Sequence, residues 1–517
     1  MSAGGTGAAG GAPGAAGSVQ SPPPAVPISA GAFPRWRVFP PIALGVIMAT
    51  LDASVVTIAL PTLQRAFNAP LSTVEWVALA YTLTLTGLLL AAGRLADARG
   101  RKSVYGAGLI LFTVASGLCG AAPTVGALIA LRVLQGVGAA LVSGNGSALL
   151  IHAFPLEQRG RALGAFGAMV GVGLAVGPPL GGLVVAHASW RWIFLVNLPL
   201  GVLTWNMLQR RVPADPPAAA DAPGPTSLFG FGVAPFAWAV ALASLALALT
   251  RGPDAGWGEP MVMGPAVGGV MLLALFIASQ RATSQPLLPL DLVTGRLGAA
   301  VTLTFLGQVL SAGVGFHMPL VLEETGGLTP ARSGAWLAVL PLAALSCAPV
   351  AGRLADKMGA RTLTTVGLVL AAIGLWLLSQ LGAMPAGMRL AAGLVLVGVG
   401  LGLFTVPNAS AVLSLVPYER VGVAAGLQGT TRNLGLAAGI AFTGAMVTAR
   451  YHGHAGATLR LGSPGGVDHL AFVLATREAF QVLAALAMLS AAIAWVTRPG
   501  MGPRPQPQGA VAKSHRR

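Results

Sequence analysis

Apolar segments of about 20 residues recur along the whole chain and alternate with short polar loops. At a rise of about 1.5 Å per residue, a helix of that length crosses about 30 Å of hydrocarbon. A membrane-spanning strand would be about half as long and would alternate in polarity, which these segments do not. The pattern therefore predicts an all-α integral membrane protein with 14 transmembrane helices, at residues 38–60, 74–93, 104–122, 124–147, 161–186, 190–209, 229–250, 261–280, 297–322, 332–352, 362–382, 389–413, 421–448 and 476–497.

Two parts of the chain repeat each other. The loop Gly93–Lys102, between the second and third predicted helices, returns nearly intact as Gly352–Arg361. Glycine and proline positions in residues 155–182 also align with those in residues 417–444. A repeat of this length is typical of a duplicated helical bundle rather than of a solenoid. The sequence therefore predicts two six-helix bundles related by a pseudo-two-fold axis, with two inserted helices between them.

The repeat and the shifts in composition divide the chain into seven parts. The Gly-, Ala- and Pro-rich start is typical of a disordered tail, and a Pro- and Ala-rich stretch links the first bundle to the inserted helices. In order, we expect a cytoplasmic tail at 1–37, the N-terminal bundle at 38–210, a linker at 211–228, the inserted helix pair at 229–280, a cytoplasmic connector at 281–296, the C-terminal bundle at 297–497 and a cytoplasmic tail at 498–517.

Composition agrees with a lipid environment, because 55% of the residues are hydrophobic and 9% are charged, too few for the surfaces of soluble domains. The net charge of +16 comes from short loops and tails rather than from a continuous basic face, so a nucleic-acid partner is not expected. Most basic residues lie on the side that holds both termini and both repeated loops. The positive-inside rule then predicts an inner (cytoplasmic) cell membrane protein with both termini in the cytoplasm.

Two charged residues are predicted to lie inside the membrane at similar depth, Asp52 in the first helix and Arg132 in the fourth. An isolated charge near the bilayer centre costs about 2.5–3.5 kcal/mol, so we expect the two to face a wet cavity or to pair with each other. One hypothesis makes them a static structural pair. The other makes Asp52 the proton-carrying group and Arg132 the charge that lowers its affinity for the proton in one of two conformations. Glu75 and Glu323, near outer helix ends, are interpreted as interfacial residues.

The repeated loops suggest a conformational device. Asp97 and Asp356 each close a helix at its C-terminal end, where an acid is unfavourable unless a positive group approaches. The expected partner is a helix N-terminus of the other bundle, near Val421 for Asp97 and near Gly160 for Asp356, and such contacts would close the cytoplasmic side. Alternatively, the loop charges only fix the orientation of the helices. The predicted gating residues are Gly93, Asp97, Arg101, Gly352, Asp356 and Arg361.

Polar side chains within the predicted helices are candidates for a substrate cavity. Arg432 lies near the middle of the thirteenth helix. Three roles are open for it: contact with an anionic part of a substrate, pairing with a carboxylate such as Asp52, or a structural role. For the other candidates, hydrogen bonding between helices is the competing explanation. The candidate cavity residues are Tyr81, Gln135, Gln308, Arg432 and Asn433.

The chain carries no phosphate loop, no nucleophile elbow and no zinc motif. His452, His454 and His469 stand in one outer loop, with a spacing that is poor for a metal site. We therefore expect no enzymatic activity, no bound metal and no cofactor, with a proton gradient as the source of energy.

Several of these stretches resemble the major facilitator superfamily, in particular its fourteen-helix branch of drug:proton antiporters, over about residues 38–497. Gly93–Tyr105 is similar to the superfamily's signature loop. Arg132–Gly138 resembles the helix-four motif linked to proton transfer, while Leu51–Pro61 and Trp190–Pro199 resemble two further signatures of the branch. The antiporter motif associated with exporters is matched, spacing included, by Gly164, Gly173, Gly177, Pro178, Gly181 and Gly182.

On spacing alone, the glycines of the fifth helix favour close helix packing, and the pair Pro178-Pro179 is expected to break or kink the helix. The resemblance instead implies a proton-coupled exporter of hydrophobic drugs or toxic compounds, cations among them. It would act as a monomer among membrane lipids, by alternating access between the bundles. Two rivals remain: transport of one specific metabolite on the same fold, and a membrane sensor or scaffold that transports nothing.

Overall fold

The structure is a computed structural model that describes residues 35–154, 156–215, 234–283, 286, 288, 290–382, 387–416, 421–456, 459 and 468–497. The predicted tails, apart from residues 35–37, and residues 216–228 of the predicted linker lie outside the described residues. Within these ranges, 14 helices are long and apolar enough to cross a membrane. They are α1 (Phe39–Phe67), α2 (Leu71–Arg99), α3 (Arg101–Gly120), α4 (Val125–Ala153), α5 (Leu156–His187), α6 (Trp192–Arg211), α7 (Ala234–Ala255), α8 (Pro260–Ala282), α9 (Gly295–Thr325), α10 (Pro330–Met358), α11 (Ala360–Ser379), α12 (Met388–Ser414), α13 (Val421–Ala455) and α14 (His469–Thr497).

Several helices extend beyond their predicted ends, and in α1 and α14 the capping residues that lie outside the apolar pattern account for the extension. α1 runs to Phe67, past the predicted end at residue 60, and ends where Asn68 adopts the left-handed conformation with φ 47°. α14 begins at His469 rather than at residue 476, because the Asp468 carboxylate accepts hydrogen bonds of 3.0 Å from two N–H groups of the first turn. An N-cap acid of this kind is a sequence signal that the apolar pattern alone does not register.

The two bundles have the same internal packing. In the first, α1 packs on α5 and α6, α4 packs on α2 and α3, and α3 packs on α6. In the second, α9 packs on α13 and α14, α12 packs on α10 and α11, and α11 packs on α14. Each pairing of the first bundle therefore recurs between the corresponding helices of the second. The predicted fold class, an all-α membrane protein built from a duplicated six-helix bundle with an inserted helix pair, is confirmed.

The bundles meet along two seams, α5 against α10 and α2 against α13. Of the inserted helices, α7 packs on both α2 and α13, and α8 packs on α7. Gly87 of α2 lets Ala239 of α7 approach its backbone, and Ser72 donates a hydrogen bond of 2.5 Å to Asp254 of α7. The inserted pair therefore covers one of the two seams.

The α5–α10 seam is tight at one end only. We call the end of the molecule that holds the repeated loops the loop face and the opposite end the far face. Near the far face, Gly182 of α5 lies directly against the backbone carbonyl of Pro330. Towards the loop face, a Cβ added at Gly164 of α5 or Gly352 of α10 would meet no atom within 4 Å. The two helices therefore diverge towards the loop face.

Polar contacts also join the bundles at the far face. Arg65 of α1 forms an ion pair of 2.8 Å with Glu323 of α9, whose side chain is 3% exposed. Glu75 is 1% exposed and packs against Gly444 of α13. Glu75 and Glu323 thus lie near the far-face ends of their helices, as predicted, but the opposite bundle covers both side chains. Direct contacts between the bundles close the far face in this conformation.

Candidate functional site

Three helices of the first bundle bring a buried carboxylate, an arginine and two amides together. Arg132 Nη1 of α4 donates to Asp52 Oδ2 of α1. Asp52 Oδ1 accepts from Gln135 Nε2 at 2.8 Å and from Asn197 Nδ2 of α6 at 3.1 Å. Both carboxylate oxygens of Asp52 are thus hydrogen-bonded, as an ionised acid inside a membrane requires. We call Asp52, Arg132, Gln135 and Asn197 the acid cluster.

The arginine of the acid cluster is held on several sides. Its Nε donates to the Val77 carbonyl of α2 at 2.8 Å, and its Nη1 also donates to Gln135 Oε1 at 2.7 Å. The Tyr81 ring lies under the guanidinium, 4.1 Å from its Cζ, and the Tyr81 hydroxyl donates to the Ala49 carbonyl at 3.0 Å. This cation–π contact and the hydrogen bonds fix the plane of the guanidinium.

The acid cluster is closed to solvent in this conformation. Asp52 is 1% exposed, and Arg132, Gln135 and Asn197 are fully buried. In so dry a site, a proton added to Asp52 competes directly with Arg132 for the same carboxylate, because a neutral acid no longer attracts the guanidinium. The arrangement is chemically suited to exchange a proton for an ion pair when the bundle rearranges.

Tyr81 and Gln135, which the sequence suggested as cavity residues, lie elsewhere. Both are buried within the first bundle, in contact with Arg132, and neither borders an opening in this conformation. The reason is that Tyr81 of α2 turns towards α1 and α4, and Gln135 of α4 turns towards α1, rather than towards the second bundle.

Asn197 had no assigned role in the sequence analysis, although it stands in the Trp190–Pro199 run that carried part of the resemblance. Its amide bridges Asp52 to Ser116 Oγ of α3, at 3.0 Å from the latter. Ser116 in turn donates to the Phe194 carbonyl at 2.9 Å. The sequence signal that could have identified Asn197 is an amide in an apolar helix at a depth similar to that of Asp52.

Glycine contacts show which positions of the two bundles correspond. In the first bundle, Gly173 packs on Thr50 of α1, and in the second, Gly435 packs on Gln308 of α9. The α3–α4 and α11–α12 contacts correspond in the same way, with Gly138 of α4 against Phe112 and Gly400 of α12 against Ala371. The same helices therefore cross at the same points in both bundles.

The second bundle has no acid cluster at the corresponding positions. Counted from these crossings, the equivalent positions of α9 and α12 carry aliphatic side chains, all fully buried in the second bundle's core. These are Leu310 in place of Asp52, Leu394 in place of Arg132 and Val397 in place of Gln135.

The first repeated loop is anchored within its own bundle. Gly100 adopts φ 99°, which lets the Asp215 carboxylate approach and accept hydrogen bonds from the N–H groups of Lys102 at 2.9 Å and Ser103 at 2.8 Å. Asp215 therefore caps the first turn of α3, a role that the sequence analysis missed because Asp215 lies beyond α6.

The acid of the first repeated loop makes a local ion pair. Asp97 pairs with Arg101 at 2.5 Å, and its side chain is 58% exposed. The predicted partner of Asp97, the α13 N-terminus, begins at Val421, whose side chain is outside the described part of the chain. In this conformation, the described contact of Asp97 lies within its own loop. Gly93 packs near the Gly144 carbonyl of α4.

In the second repeated loop, the Arg361 guanidinium stacks on the Trp495 ring of α14 at 3.9 Å. Gly352 lies within α10, where it faces open space. Asp356 also lies within α10, but its side chain falls outside the described residues. The Gly160 region, predicted to meet it, is likewise described only as helical backbone.

Most glycines of the α5 motif contact other helices. Gly173, Gly177 and Gly181 face α1, where Thr50, Ser54 and Ile58 fill the space that a larger residue would need. Gly182 and Pro178 face α10, while Gly164 faces open space. α5 continues through Pro178 and Pro179 as one unbroken helix. Of the two predicted effects, a break is therefore excluded and a kink stays a prediction, and α10 crosses α5 at this point.

Arg432 and Asn433 of α13, and Gln308 of α9, are half-buried near the middle of their helices. Unlike Arg132, Arg432 makes no hydrogen bond and no ion pair with any residue in the described part of the chain. These three residues are the predicted cavity residues that keep some exposure.

A family search agrees with this architecture. The sequence model of the Major Facilitator Superfamily matches residues 42–440 and, in a second match, residues 297–516. The chain belongs to the major facilitator superfamily. It is therefore a multi-pass membrane transporter.

Named relatives of this major facilitator transporter include both resistance proteins and a vitamin transporter. The puromycin resistance protein pur8 of Streptomyces alboniger is 33% identical over 477 residues, which is 89% of this chain and 91% of the relative. The tetracenomycin C resistance and export protein of Streptomyces glaucescens is 31% identical, over 80% of this chain and 76% of the relative. The riboflavin transporter RibZ of Clostridioides difficile strain 630 is 31% identical, over 79% and 87%.

Solved structures of the superfamily share the fold. A bacterial homologue of the human lysosomal transporter Spinster, in an inward-facing and unoccupied conformation, matches with a TM-score of 0.66 at 17% identity. The match covers 92% of this chain and 100% of the other. At such low identity the likeness concerns the fold of this major facilitator transporter alone.

Proposed function

We propose that this transporter is a proton-coupled antiporter of the inner cell membrane, with both termini in the cytoplasm, that exports small hydrophobic compounds by alternating access. The observation that carries the proposal is the acid cluster, which holds a carboxylate and an arginine inside the first bundle only. A buried ion pair is weak evidence for stability, so its presence on one side of a duplicated fold favours a role in energy coupling.

In this proposal, the loop face is cytoplasmic and the described conformation is inward-facing. Asp52 is ionised and bound to Arg132 while the far face is closed. A proton that reaches Asp52 from outside, in the outward-facing state, would release Arg132 and favour the return to the inward-facing state, where the proton leaves. The proton gradient would thereby drive substrate outward, with no cofactor involved.

The two repeated loops are proposed to close the loop face in the opposite conformation. Asp97 is already exposed there, and its ion pair in the described part of the chain is with the nearby Arg101. Because an exposed pair of this kind contributes little, a positive helix N-terminus of the other bundle can replace Arg101 when the bundles close. The glycines of α5 would serve as the contact about which α10 moves.

The decisive experiment uses everted membrane vesicles with an imposed pH gradient and a panel of fluorescent and antibiotic compounds. The wild type is expected to accumulate several hydrophobic compounds in response to the gradient. Asp52→Asn is expected to abolish this transport while the protein still inserts, since an amide cannot carry the proton. Full gradient-driven transport by Asp52→Asn would contradict proton carriage by Asp52.

A second candidate is the transport of one specific metabolite. It is favoured by the riboflavin transporter among the relatives, which is as similar to this chain as the tetracenomycin C exporter is. The same vesicle panel separates the candidates. Transport of one compound to the exclusion of structurally unrelated ones would support the metabolite transporter, and absence of any substrate-dependent proton flux would support a sensor or scaffold.

A further inference from the structure

One face of α13 is turned towards the space between the bundles. Gly426 and Gly429 lie against the Leu90 and Leu89 side chains of α2, and Gly435 lies against α9. Residues three apart on a helix are turned by about 60° from each other, so Arg432, midway between Gly429 and Gly435, lies between the side of α13 that faces α2 and the side that faces α9. Its side chain therefore projects between α2 of the first bundle and α9 of the second.

The remaining exposure of Arg432 is internal. The side of α13 that carries Arg432 lies between α2 and α9, whereas the lipid-facing side of a helix in this fold has no such neighbours. The exposed part of the half-buried Arg432 is therefore directed between α2 and α9 rather than towards lipid. Gln308 of α9 is also half-buried, and its Cβ packs on Gly435, one helical turn along α13 from Arg432.

Arg432 pairs with no acid among the residues whose side chains the structure describes. The described carboxylates of α2 and α9 lie towards the helix ends, at Glu75, Asp97, Glu323 and Glu324. Asp52, the described acid nearest the middle of the membrane, is bound to Arg132 and sealed within the first bundle. A charge near the bilayer centre is costly, and a cation held without a partner favours an anionic ligand.

We propose that Arg432, with Gln308 beside it, forms a subsite for a carboxylate or similar delocalised anion on an otherwise hydrophobic substrate. This inference rests on the proposed export function and names its substrate class. The guanidinium presents a planar fork of donors that matches a carboxylate, and the Gln308 amide adds one donor and one acceptor. Cationic compounds, which the family resemblance had included, are disfavoured at this subsite because they meet a like charge.

The test is equilibrium binding to the purified full-length protein in detergent, without a pH gradient. The probes are pyrenebutyrate, pyrenebutanol and pyrenebutyl-trimethylammonium, which share one apolar body and differ in charge. Energy transfer from protein tryptophan to pyrene reports binding. The wild type is expected to bind the anion about tenfold or more tightly than the alcohol, and the cation most weakly.

Three variants make the assay specific. Arg432→Gln is expected to weaken anion binding about tenfold while leaving binding of the alcohol unchanged, and Arg432→Lys is expected to lie between it and the wild type. Arg477→Gln, which removes an exposed arginine of α14, is the matched control and should change neither. Should the Gln variant not fold, the Lys variant and the wild-type preference still decide the question.

Equal wild-type binding of anion and alcohol would overturn the subsite, as would an Arg432→Gln variant that keeps the anion preference. Because no gradient is present, this outcome is independent of proton coupling. Anion-selective binding without gradient-driven transport would support the subsite and contradict the proposed antiport. Gradient-driven transport without anion-selective binding would contradict only the subsite.

Discussion

The cores of the two bundles are built on the same helix crossings but filled with opposite chemistry. Where α1 and α4 meet, the first bundle holds Asp52, Arg132 and Gln135. At the corresponding positions of α9 and α12, the second bundle holds only aliphatic side chains, Leu310, Leu394 and Val397. The same helix crossings therefore accommodate either a polar or an aliphatic filling.

This difference separates what the scaffold needs from what the function needs. Replacing a buried ion pair with well-packed apolar residues is often neutral or stabilising, so packing gives no reason to keep Asp52 and Arg132. In the second bundle, the polar residues Arg432 and Gln308 are instead half-buried, on the helices α13 and α9 that contact the first bundle. We infer a division of labour in which the first bundle handles the proton and the second contacts the substrate.

The largest expected effect on stability comes from removing one partner of the Asp52–Arg132 ion pair. Arg132→Leu leaves the Asp52 carboxylate buried without a cation, which should lower the free energy of unfolding by about 3–5 kcal/mol. The measurement is unfolding of the purified protein in detergent, followed by tryptophan fluorescence.

The same experiment tests whether the two cores are interchangeable. The triple variant Asp52→Leu, Arg132→Leu and Gln135→Val copies the second bundle, and its stability should equal the wild-type value or exceed it by about 1–4 kcal/mol. It should transport nothing in response to a pH gradient. If the triple variant is less stable than Arg132→Leu alone, the acid cluster is needed for packing and the comparison fails.

A smaller effect is expected at the seam between the bundles. Gly182→Val places two methyl groups against the Pro330 carbonyl and should destabilise the protein by about 1–3 kcal/mol through overpacking. Gly164→Ala, on the same helix but facing open space, is the control and should change stability by less than about 0.5 kcal/mol.

The seam variant should also open the far face. A cysteine introduced at Ser333, which is fully buried at this seam, should react faster with a membrane-impermeant thiol reagent when Gly182 is Val. The native Cys119 and Cys347 would be replaced first. Unchanged reactivity would mean that contact at Gly182 does not hold the far face closed.

The smallest expected effect is at the edge of the acid cluster. Asn197→Ala removes one neutral donor from Asp52, which keeps its bonds to Arg132 and Gln135, so stability should fall by about 1 kcal/mol. Gradient-driven transport should be reduced but retained. Complete loss of transport, as expected for Asp52→Asn, would show that Asn197 does more than support the carboxylate.

Much of the acid cluster could be anticipated from depth alone. Asp52 and Arg132 are charges in apolar helices, and the cost of such charges in lipid allows few arrangements. The depth of a residue does not tell towards which neighbouring helix its side chain points, however. Tyr81 and Gln135 were for that reason assigned to the cavity, although their faces turn inward within the first bundle.

The sequence by itself determined the number of membrane-spanning helices, the duplication and the family. The thickness of the lipid bilayer sets the length of each apolar segment, and the repeat is visible in the aligned glycines and the two similar loops. The tertiary structure decided which side chains meet across helices, such as Asn197 with Asp52 and Asp215 with the first turn of α3. It also decided which face is closed and that Arg432 is half-buried with no acid partner among the described side chains. These features depend on helix rotation and crossing, which are set by packing between segments far apart in the chain.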